Sequence, residues 1–290
     1  MKIKKAVIPA AGFGTRMLPA SKAVPKEMLT LAQKPVIQYL VEEVAACEIE
    51  ELLIIVSRGK GVLEDHFDYS YELEQRLIAS GKDDVVKELR AISDLCEITF
   101  VRQKELLGLG HAILCAKNFT GSEPFLVILG DDVIYNGGGA TASRQLMDAY
   151  EEHGTCIVGV QKVERADIAS YGSIEIDGEE KKIMKVCSMV EKPEPEKAPS
   201  LYAAMGRYVL TPDIYDRIEK TPRGHGGEIQ ITDALKELAR EGRLHACNFD
   251  GQRYDTGNLL GYLKANVEFG LRSPSGEHFK EYLKEFCKNL

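Results

Sequence analysis

Residues 6–28 read AVIPAAGFGTRMLPASKAVPKEM, and this stretch decides the fold. The apolar run at 6–9 is short, contains β-branched residues and leads into small residues, so it predicts a buried strand. Gly12 and Gly14 follow closely, and glycines let backbone N–H groups approach phosphate oxygens without obstruction by a Cβ. The stretch therefore predicts a strand that ends in an anion-binding loop.

Three cations accompany this loop. Arg16 lies inside the turn, where a guanidinium can hold phosphate oxygens in a fork, and Lys22 and Lys26 could converge on the same group. The alternative is a tight structural turn with solvent-exposed cations. The segment is not a P-loop, because no Gly-Lys-Ser/Thr follows. It is not a complete dinucleotide fingerprint either, because Met17 lacks the third glycine.

Charge is unevenly distributed along the 290 residues. The chain carries a net charge of −8, yet its first 34 residues hold seven bases and one acid. An acidic surface disfavours nonspecific binding to nucleic acid or to an anionic membrane. A local basic cluster suggests a smaller anion, although surface lysines are also common. We expect neither a nucleic-acid nor a membrane partner.

Targeting signals and cysteine usage both favour the cytoplasm. The apolar runs are too short to span a bilayer, and the N-terminus lacks a secretory apolar region and cleavage site. The seven cysteines are scattered and form no Cys-x-x-Cys pair, which predicts free thiols in a reducing compartment.

Strand and helix patterns alternate along the first half of the chain. They predict a helix from Pro35 through Cys47, a strand at 52–57, a polar helical stretch at 61–92, a strand at 98–103, a short helix at 110–118 and a strand at 125–129. This order predicts a parallel sheet with helices on both faces. Ligands of such sheets bind at the carboxyl ends of the strands.

The second half contains more strand and less helix. We predict a helix at 140–153, strands at 156–163, 173–176, 183–191 and 202–210, and helices at 213–219, 229–241, 258–271 and 275–289. The whole chain is then an α/β fold. Its central sheet is Rossmann-like, mixed and mainly parallel, and a helical appendage forms the C-terminus.

The loop motif resembles the signature of the sugar-phosphate nucleotidylyltransferases. The matching residues are Pro9-Ala10-Ala11-Gly12-x-Gly14-Thr15-Arg16-x-Leu18-Pro19-x-x-Lys22-x-x-Pro25-Lys26-Glu27-Met28. Within this family the chain is most similar to bacterial members that use UTP and glucose 1-phosphate. Thymidylyltransferase members typically carry Lys-Gln-Leu where this chain has Lys26-Glu27-Met28. The resemblance extends to about residue 270 and implies a nucleotide-diphospho-sugar transferase fold.

The resemblance also implies a reaction and a set of site residues. UTP and α-D-glucose 1-phosphate would give UDP-glucose and pyrophosphate, with Mg²⁺ as cofactor. Arg16, Lys26 and Lys192 would be catalytic, and Asp131 and Asp255 would hold the metal. The substrate-binding residues would be Ala10, Ala11, Gly12, Gly14, Thr15, Glu27, Gln103, Gly108, Asp131, Gly172, Glu191 and Lys192.

The chemistry of these residue types agrees with the roles, although each also has a structural interpretation. Carboxylates after a buried strand can hold Mg²⁺ against triphosphate oxygens, but Gly130-Asp131 is also an ordinary turn, and Asp132 is the less favoured ligand. The amide of Gln103 suits the edge of uracil, or it is a polar strand end. We interpret His111 and the segment 228–233 as structural.

The resemblance further implies a domain organisation. A single catalytic domain would cover residues 1–270, with a nucleotide-binding part at about 1–135 and a sugar-phosphate-binding part at about 136–257. Helices at 258–290 could form the contact of a homodimer or homotetramer.

Three other functions stay open at this point. The nearest is a sister nucleotidylyltransferase that uses dTTP or another sugar phosphate. Another is a non-catalytic regulatory homologue that binds a nucleotide sugar without turnover. A dinucleotide-dependent oxidoreductase is the third, which the missing third glycine disfavours.

Overall fold

The computed structural model describes residues 2–288, apart from the side chain of His225. Within this range the strands are β1 (Lys5–Pro9), β2 (Thr30–Leu31), β3 (Lys34–Pro35), β4 (Glu51–Val56), β5 (Glu97–Arg102), β6 (Phe125–Ile128), β7 (Asp132–Tyr135), β8 (Cys156–Lys162), β9 (Gly172–Asp177), β10 (Ile183–Glu191), β11 (Tyr202–Leu210), β12 (Leu244–Asn248) and β13 (Gln252–Asp255). The α-helices of the same range are α1 (Val36–Ala46), α2 (Gly61–Phe67), α3 (Tyr71–Ala79), α4 (Asp83–Ser93), α5 (Leu109–Leu114), α6 (Lys117–Thr120), α7 (Ala142–His153), α8 (Ile214–Lys220), α9 (Ile231–Arg240), α10 (Leu259–Arg272) and α11 (Gly276–Cys287).

A nine-stranded sheet organises the described residues, in the order β5-β4-β1-β6-β11-β8-β12-β10-β9. Strands β5, β4, β1 and β6 pair in parallel, and so do β8 and β12. Strands β11 and β10 run antiparallel to their neighbours and to the direction of the other seven. The predicted mixed, mainly parallel sheet is therefore confirmed.

Both faces of the sheet are covered, which explains why its strands have continuous apolar sequences. In β1, Ala6 and Ile8 pack into one core layer and Val7 into the other. Helices α1, α7 and α10 contribute to the first layer, whereas α5, α8 and α9 contribute to the second. The predicted helices on both faces are confirmed.

A small two-stranded sheet stands beside the central one and was not predicted as a pair. Strands β7 and β13 are antiparallel, and their register sets Asp132 opposite Asp255. Strand β7 begins directly after the turn that ends β6. This pairing brings two distant acidic segments to the carboxyl edge of β1 and β6, where the candidate site lies.

Several boundaries differ from the sequence-based predictions. The helical stretch at 61–92 is three helices, and Gly81 adopts φ +69° just after α3, a conformation that ends a helix. Strand β12 was missed, because its five residues are few and its polar residues His245 and Asn248 do not follow a period of two. The last helix ends at Cys287, and residues 289–290 of the prediction lie outside the described residues.

Two further expectations from the sequence concern the cysteines and membrane-spanning helices. All seven cysteines are free, and burial raises the pKa of Cys47 and Cys156 to about 11. In the part of the chain that the structure describes, no helix combines the length and apolarity needed to cross a bilayer.

Candidate active site

The loop after β1 folds over the side chain of Lys26. Gly14 adopts φ +67°, and a Cβ at this position would lie 3.2 Å from Cβ of Lys26. The hydroxyl of Ser21 donates to the carbonyl oxygen of Gly14 at 2.7 Å and braces the turn. Glycine is therefore required here both by the left-handed backbone and by the close approach of the lysine.

Lys26 and Arg16 converge on the carboxylate of Asp131. The ammonium of Lys26 donates to Oδ2 of Asp131 at 2.6 Å, and Nη2 of Arg16 lies 3.5 Å from the same oxygen. Burial acts to raise the pKa of Asp131, but the charges of Lys26, Arg16 and Arg253 hold that pKa below its ordinary value. Asp131 is therefore ionised.

Gly257 marks the point where the two predicted metal carboxylates meet. A Cβ built there would lie 2.6 Å from Oδ2 of Asp131, 2.9 Å from Nη2 of Arg16 and 3.1 Å from Oδ1 of Asp255. Because both carboxylate oxygens are about 3 Å from one point, they are less than about 6 Å apart. A side chain at this position would crowd both carboxylates and Arg16, and glycine avoids that clash.

Asp132 is held differently from Asp131. Its Oδ1 accepts hydrogen bonds from Nε of Arg253 at 2.5 Å, and burial raises its pKa to about 6 against the opposing charge of Arg253. The fully buried Arg207 donates to the carbonyl oxygen of Asp132 and pairs with Glu43 at 2.7 Å. These contacts fix the turn that carries Asp131 and leave its carboxylate for the cavity.

The larger of two adjoining cavities has a volume of about 540 Å³. It is lined by the loop at 11–16 together with Lys26, Gln103, Gly108 and Asp131. Gln103 donates through Nε2 to Nδ1 of His111 at 2.9 Å and to the carbonyl oxygen of Gly108 at 3.3 Å. Both amide hydrogens of Gln103 are therefore used within the protein, and its carbonyl oxygen is left to accept from a ligand.

Gly108 is packed tightly against the segment before α9. It has φ +101°, and a Cβ there would lie 2.6 Å from Cβ of Glu228. The backbone N–H of Ile229 donates to the carbonyl oxygen of Leu107 at 2.7 Å. Glu228 lines the larger cavity. The segment 228–233, which we interpreted from the sequence as structural, therefore does reach the site.

The smaller cavity has a volume of about 180 Å³ and shares Arg16 and Asp131 with the larger one. Gly172, Glu191 and Thr232 line it. The hydroxyl of Thr232 donates to Oε2 of Glu191 at 2.6 Å, and a Cβ on Gly172 would lie 3.4 Å from the same oxygen. The cavity is thus polar, and Asp131, Asp132 and Asp255 also line it.

Lys192 follows Glu191 in an unusual conformation, but it lines neither cavity. Its φ is +45°, which side chains other than glycine rarely adopt. Its backbone N–H donates to the carbonyl oxygen of Tyr171 at 3.0 Å, and its ammonium lies 3.7 Å from Glu191. The side chain is 41% exposed, and its nearby carboxylate partner Glu191 lines the smaller cavity.

Two predicted substrate-binding residues are engaged within the protein. Ala10 is 1% exposed, donates to Ile55 and accepts from Lys60, so the structure does not bring it to the cavity. The carboxylate of Glu27 is paired with Lys60 at 2.8 Å, although part of its side chain lines the larger cavity. Burial raises the pKa of Glu27 and lowers that of Lys60, and each charge opposes the shift of the other.

The family model for "Nucleotidyl transferase" matches residues 5–270. The chain belongs to the nucleotidyl transferase family. This match spans every residue that lines the two cavities.

Relatives and solved structures resemble this nucleotidyl transferase over nearly its whole length. The UTP–glucose-1-phosphate uridylyltransferase YngB of Bacillus subtilis (strain 168) is 52% identical over 99% of this chain and 96% of its own. A UTP-bound structure of the Acinetobacter baumannii enzyme UGPase has a TM-score of 0.91 at 37% identity, covering 98% of this chain and 99% of its own. A UDP-glucose pyrophosphorylase complexed with UDP-glucose has a TM-score of 0.86 at 41% identity, covering 93% of this chain and 100% of its own.

Most of the site residues predicted from the sequence lie at the two cavities. Arg16, Lys26, Gln103 and Asp131 share the larger cavity, and Asp255, Gly172 and Glu191 lie at the smaller one. Lys22 is exposed and lines neither cavity. Lys60, Arg207 and Arg253 were not predicted to contribute to the site, and Thr232 lies in the segment 228–233 that was interpreted as structural.

Proposed function

We propose that this nucleotidyl transferase makes UDP-glucose and pyrophosphate from UTP and α-D-glucose 1-phosphate. The observation that carries the proposal is the pair of cavities that meet at Arg16 and Asp131, one large enough for a nucleotide and one smaller. The 52% identity with a Bacillus subtilis protein named for UTP and glucose 1-phosphate supports the choice of substrates.

The larger cavity would take UTP. The free carbonyl oxygen of Gln103 can accept a hydrogen bond from N3–H of uracil, which cytosine lacks. Gly12, Gly14 and Thr15 would present backbone N–H groups to the phosphates, as Ala11 would beside them. Lys26 and Arg16 would exchange Asp131 for oxygens of the β- and γ-phosphates.

The smaller cavity would take glucose 1-phosphate. Glu191, held by Thr232, can accept hydrogen bonds from sugar hydroxyls, and Gly172 leaves room for the ring. Lys192 would orient the phosphate for in-line attack. An oxygen of the sugar phosphate forms the new bond to the α-phosphorus, the bond to the bridging oxygen breaks, and pyrophosphate leaves with that electron pair. The attacking oxygen is already anionic, so no general base is needed and catalysis rests on position and charge.

Asp131 and Asp255 fit a divalent cation, for which we propose Mg²⁺. Their oxygens lie less than about 6 Å apart beside Gly257, and Mg²⁺ is commonly held by one or two carboxylates together with substrate phosphates. Among the described residues no group of three or more His, Cys, Asp or Glu could form an all-protein site, so phosphate oxygens would complete the ligand set. The cation would offset phosphate charge when bound.

We also propose a homodimer or homotetramer in the cytoplasm. Helix α10 exposes Leu260, Leu263 and Val267 at helical spacing, and an uncovered apolar stripe of this kind marks a protein contact. We retain one catalytic domain over 1–270, with the nucleotide and sugar-phosphate parts meeting near 135, although Glu228 lines the larger cavity. Light scattering during gel filtration would test the oligomer.

The decisive experiment measures pyrophosphate release with and without Mg²⁺. UTP should react faster than dTTP, CTP, ATP and GTP, and glucose 1-phosphate faster than other sugar 1-phosphates. Chelation of the metal should stop the reaction. Preference for dTTP or another sugar phosphate would indicate the sister activity. Tight binding of UDP-glucose without pyrophosphate release would indicate a regulatory homologue, and binding of NAD but not UTP would revive the oxidoreductase.

Two variants test the catalytic assignment. We expect Lys26→Ala and Lys192→Ala each to lower the rate about 100-fold or more, which is about 2.7 kcal/mol of barrier. Lys4→Ala is the matched control, because Lys4 forms an exposed ion pair with Glu50 far along the sheet from the cavities. Near-normal turnover in both site variants would refute the assignment.

A further inference from the structure

Arg253 lies between the two halves of the site, and the proposed reaction gives it no role. It lies on β13, whose antiparallel pairing with β7 sets Asp255 opposite Asp132 and Arg253 opposite Ile134. Alternate residues of a strand share a face, so Arg253 and Asp255 project to the same side as Asp132. The guanidinium lines the smaller cavity, and its side chain is 13% exposed.

The donors of this guanidinium are divided between two carboxylates and a tyrosine hydroxyl. Nε and Nη2 both lie 2.5 Å from Oδ1 of Asp132, and Nη2 is 3.6 Å from Oδ2 of Asp255. Nη1 donates to the hydroxyl of Tyr171 at 3.0 Å, and the guanidinium carbon lies 4.8 Å from the centre of the same ring. Arg253 therefore ties the aspartate turn on one side to Tyr171 on the other.

Tyr171 in turn holds Lys192. The carbonyl oxygen of Tyr171 accepts from the backbone N–H of Lys192 at 3.0 Å, and Lys192 has φ +45°. A residue other than glycine keeps such a conformation only when its surroundings enforce it. The contacts run without a gap from Asp132, which follows Asp131, through Arg253 and Tyr171 to Lys192.

We propose that Arg253 is a positioning residue that sets Lys192, and with it glucose 1-phosphate, against the carboxylate turn of Asp131. The proposal rests on the proposed function, in which Lys192 holds the phosphate of the sugar. Arg253 suits this task because its planar fork can bind a carboxylate and a hydroxyl while its face stacks on a ring. A lysine ammonium carries the same charge but cannot do all three.

Three variants separate positioning from general stability. Arg253→Lys keeps the charge and removes the fork, and Tyr171→Phe keeps the ring and removes the hydroxyl. The matched control is Arg272→Lys, because Arg272 stacks 4.2 Å from the ring centre of Tyr135 and pairs with Glu268 but lines neither cavity. All three should lower the unfolding temperature by only a few degrees.

The steady-state constants should divide by substrate. We expect Arg253→Lys to raise KM for glucose 1-phosphate about tenfold or more and Tyr171→Phe about threefold, with KM for UTP changed less than about threefold. Arg272→Lys should change neither constant. Equal effects of Arg253→Lys on both substrates, or no effect, would overturn the proposal.

A double-mutant cycle identifies the route of the effect. In the Lys192→Ala background, Arg253→Lys should weaken glucose 1-phosphate binding by less than about twofold, because its target is gone. Calorimetric affinity for glucose 1-phosphate provides this readout even without turnover. Additive losses would overturn the positioning role while wild-type pyrophosphate release still supports the proposed function. Absence of wild-type release, with the non-additive binding retained, would instead refute the proposed function alone.

Discussion

Gly257→Ala places one methyl group at the point where the carboxylates converge. Its Cβ would lie 2.6 Å from Oδ2 of Asp131 and 3.1 Å from Oδ1 of Asp255. Gly257 does not have a left-handed φ, so alanine is compatible with the backbone. The substitution therefore crowds the two proposed metal carboxylates without removing either of them.

The expected loss follows from the distances. An ordinary contact to a Cβ begins at 3.4 Å, so Asp131 must retreat by about 0.8 Å. A misplacement of about 1 Å in a reacting constellation costs about 100-fold in rate. We therefore expect a 10- to 100-fold lower kcat, or about 1.4 to 2.7 kcal/mol of barrier, and a raised Mg²⁺ requirement.

Pyrophosphate release across a Mg²⁺ titration measures both effects. Gly61→Ala is the matched control, because a Cβ at Gly61 meets nothing within 4 Å and lies outside both cavities. The unfolding temperatures of the two variants should agree within a few degrees. If Gly257→Ala keeps the wild-type kcat and Mg²⁺ dependence within twofold, the carboxylates do not meet a metal at this point.

Three further predictions concern the base, the buried pair and the metal. His111→Leu removes the hydrogen bond between Gln103 and His111 at 2.9 Å, a neutral bond that contributes about 1 kcal/mol. The variant should raise KM for UTP about fivefold with little change in kcat. An unchanged KM would contradict the role of Gln103. Lys60→Met leaves the carboxylate of Glu27 buried and unpaired, and should lower the free energy of unfolding in urea by about 3–5 kcal/mol. Adding Glu27→Leu should recover much of that loss. No recovery would rule out the buried charge as the cause. Mn²⁺ should bind the protein, by electron paramagnetic resonance, much more tightly when UTP is present, and equal affinities would count against a metal that arrives with the triphosphate.

Local signals made much of the fold and part of the site predictable. The strand at 5–9, the glycine loop and Lys26 are close in sequence, so their chemistry is visible in one stretch. Asp131 was found because the carboxyl end of β6 is a local feature too. By contrast, Arg253 meets Asp132 only through the pairing of β13 with β7, over 121 residues of sequence separation, which no local pattern encodes.

Burial separates Lys26 from the surface lysines Lys2 and Lys4, but it does not by itself mark the functional bases of the first 34 residues, because the side chain of Arg16 is 64% exposed and that of Lys5 only 14%. Lys2 and Lys4 form ion pairs with Glu48 and Glu50, but their side chains are about half exposed and such pairs contribute little. Lys26 is 17% exposed, so its attraction to Asp131 acts at a much lower effective dielectric constant. Composition counts these lysines alike, because it records charge and not solvation.

The ion-paired charges at the junction of the two cavities balance, although Glu191 and Glu228 add further carboxylates to the cavity walls. The cations Arg16, Lys26 and Arg253 face the carboxylates Asp131, Asp132 and Asp255. A bare divalent cation would add positive charge to this neutral cluster, and a bare triphosphate would bring anions against its carboxylates. The two ligands together offer phosphate oxygens to Lys26 and Arg16 and a cation to Asp131, so each buried charge exchanges one opposite partner for another. Folding therefore brings bases from the N-terminal segment against distant carboxylates. A metal–triphosphate complex can replace the ion pairs that they form.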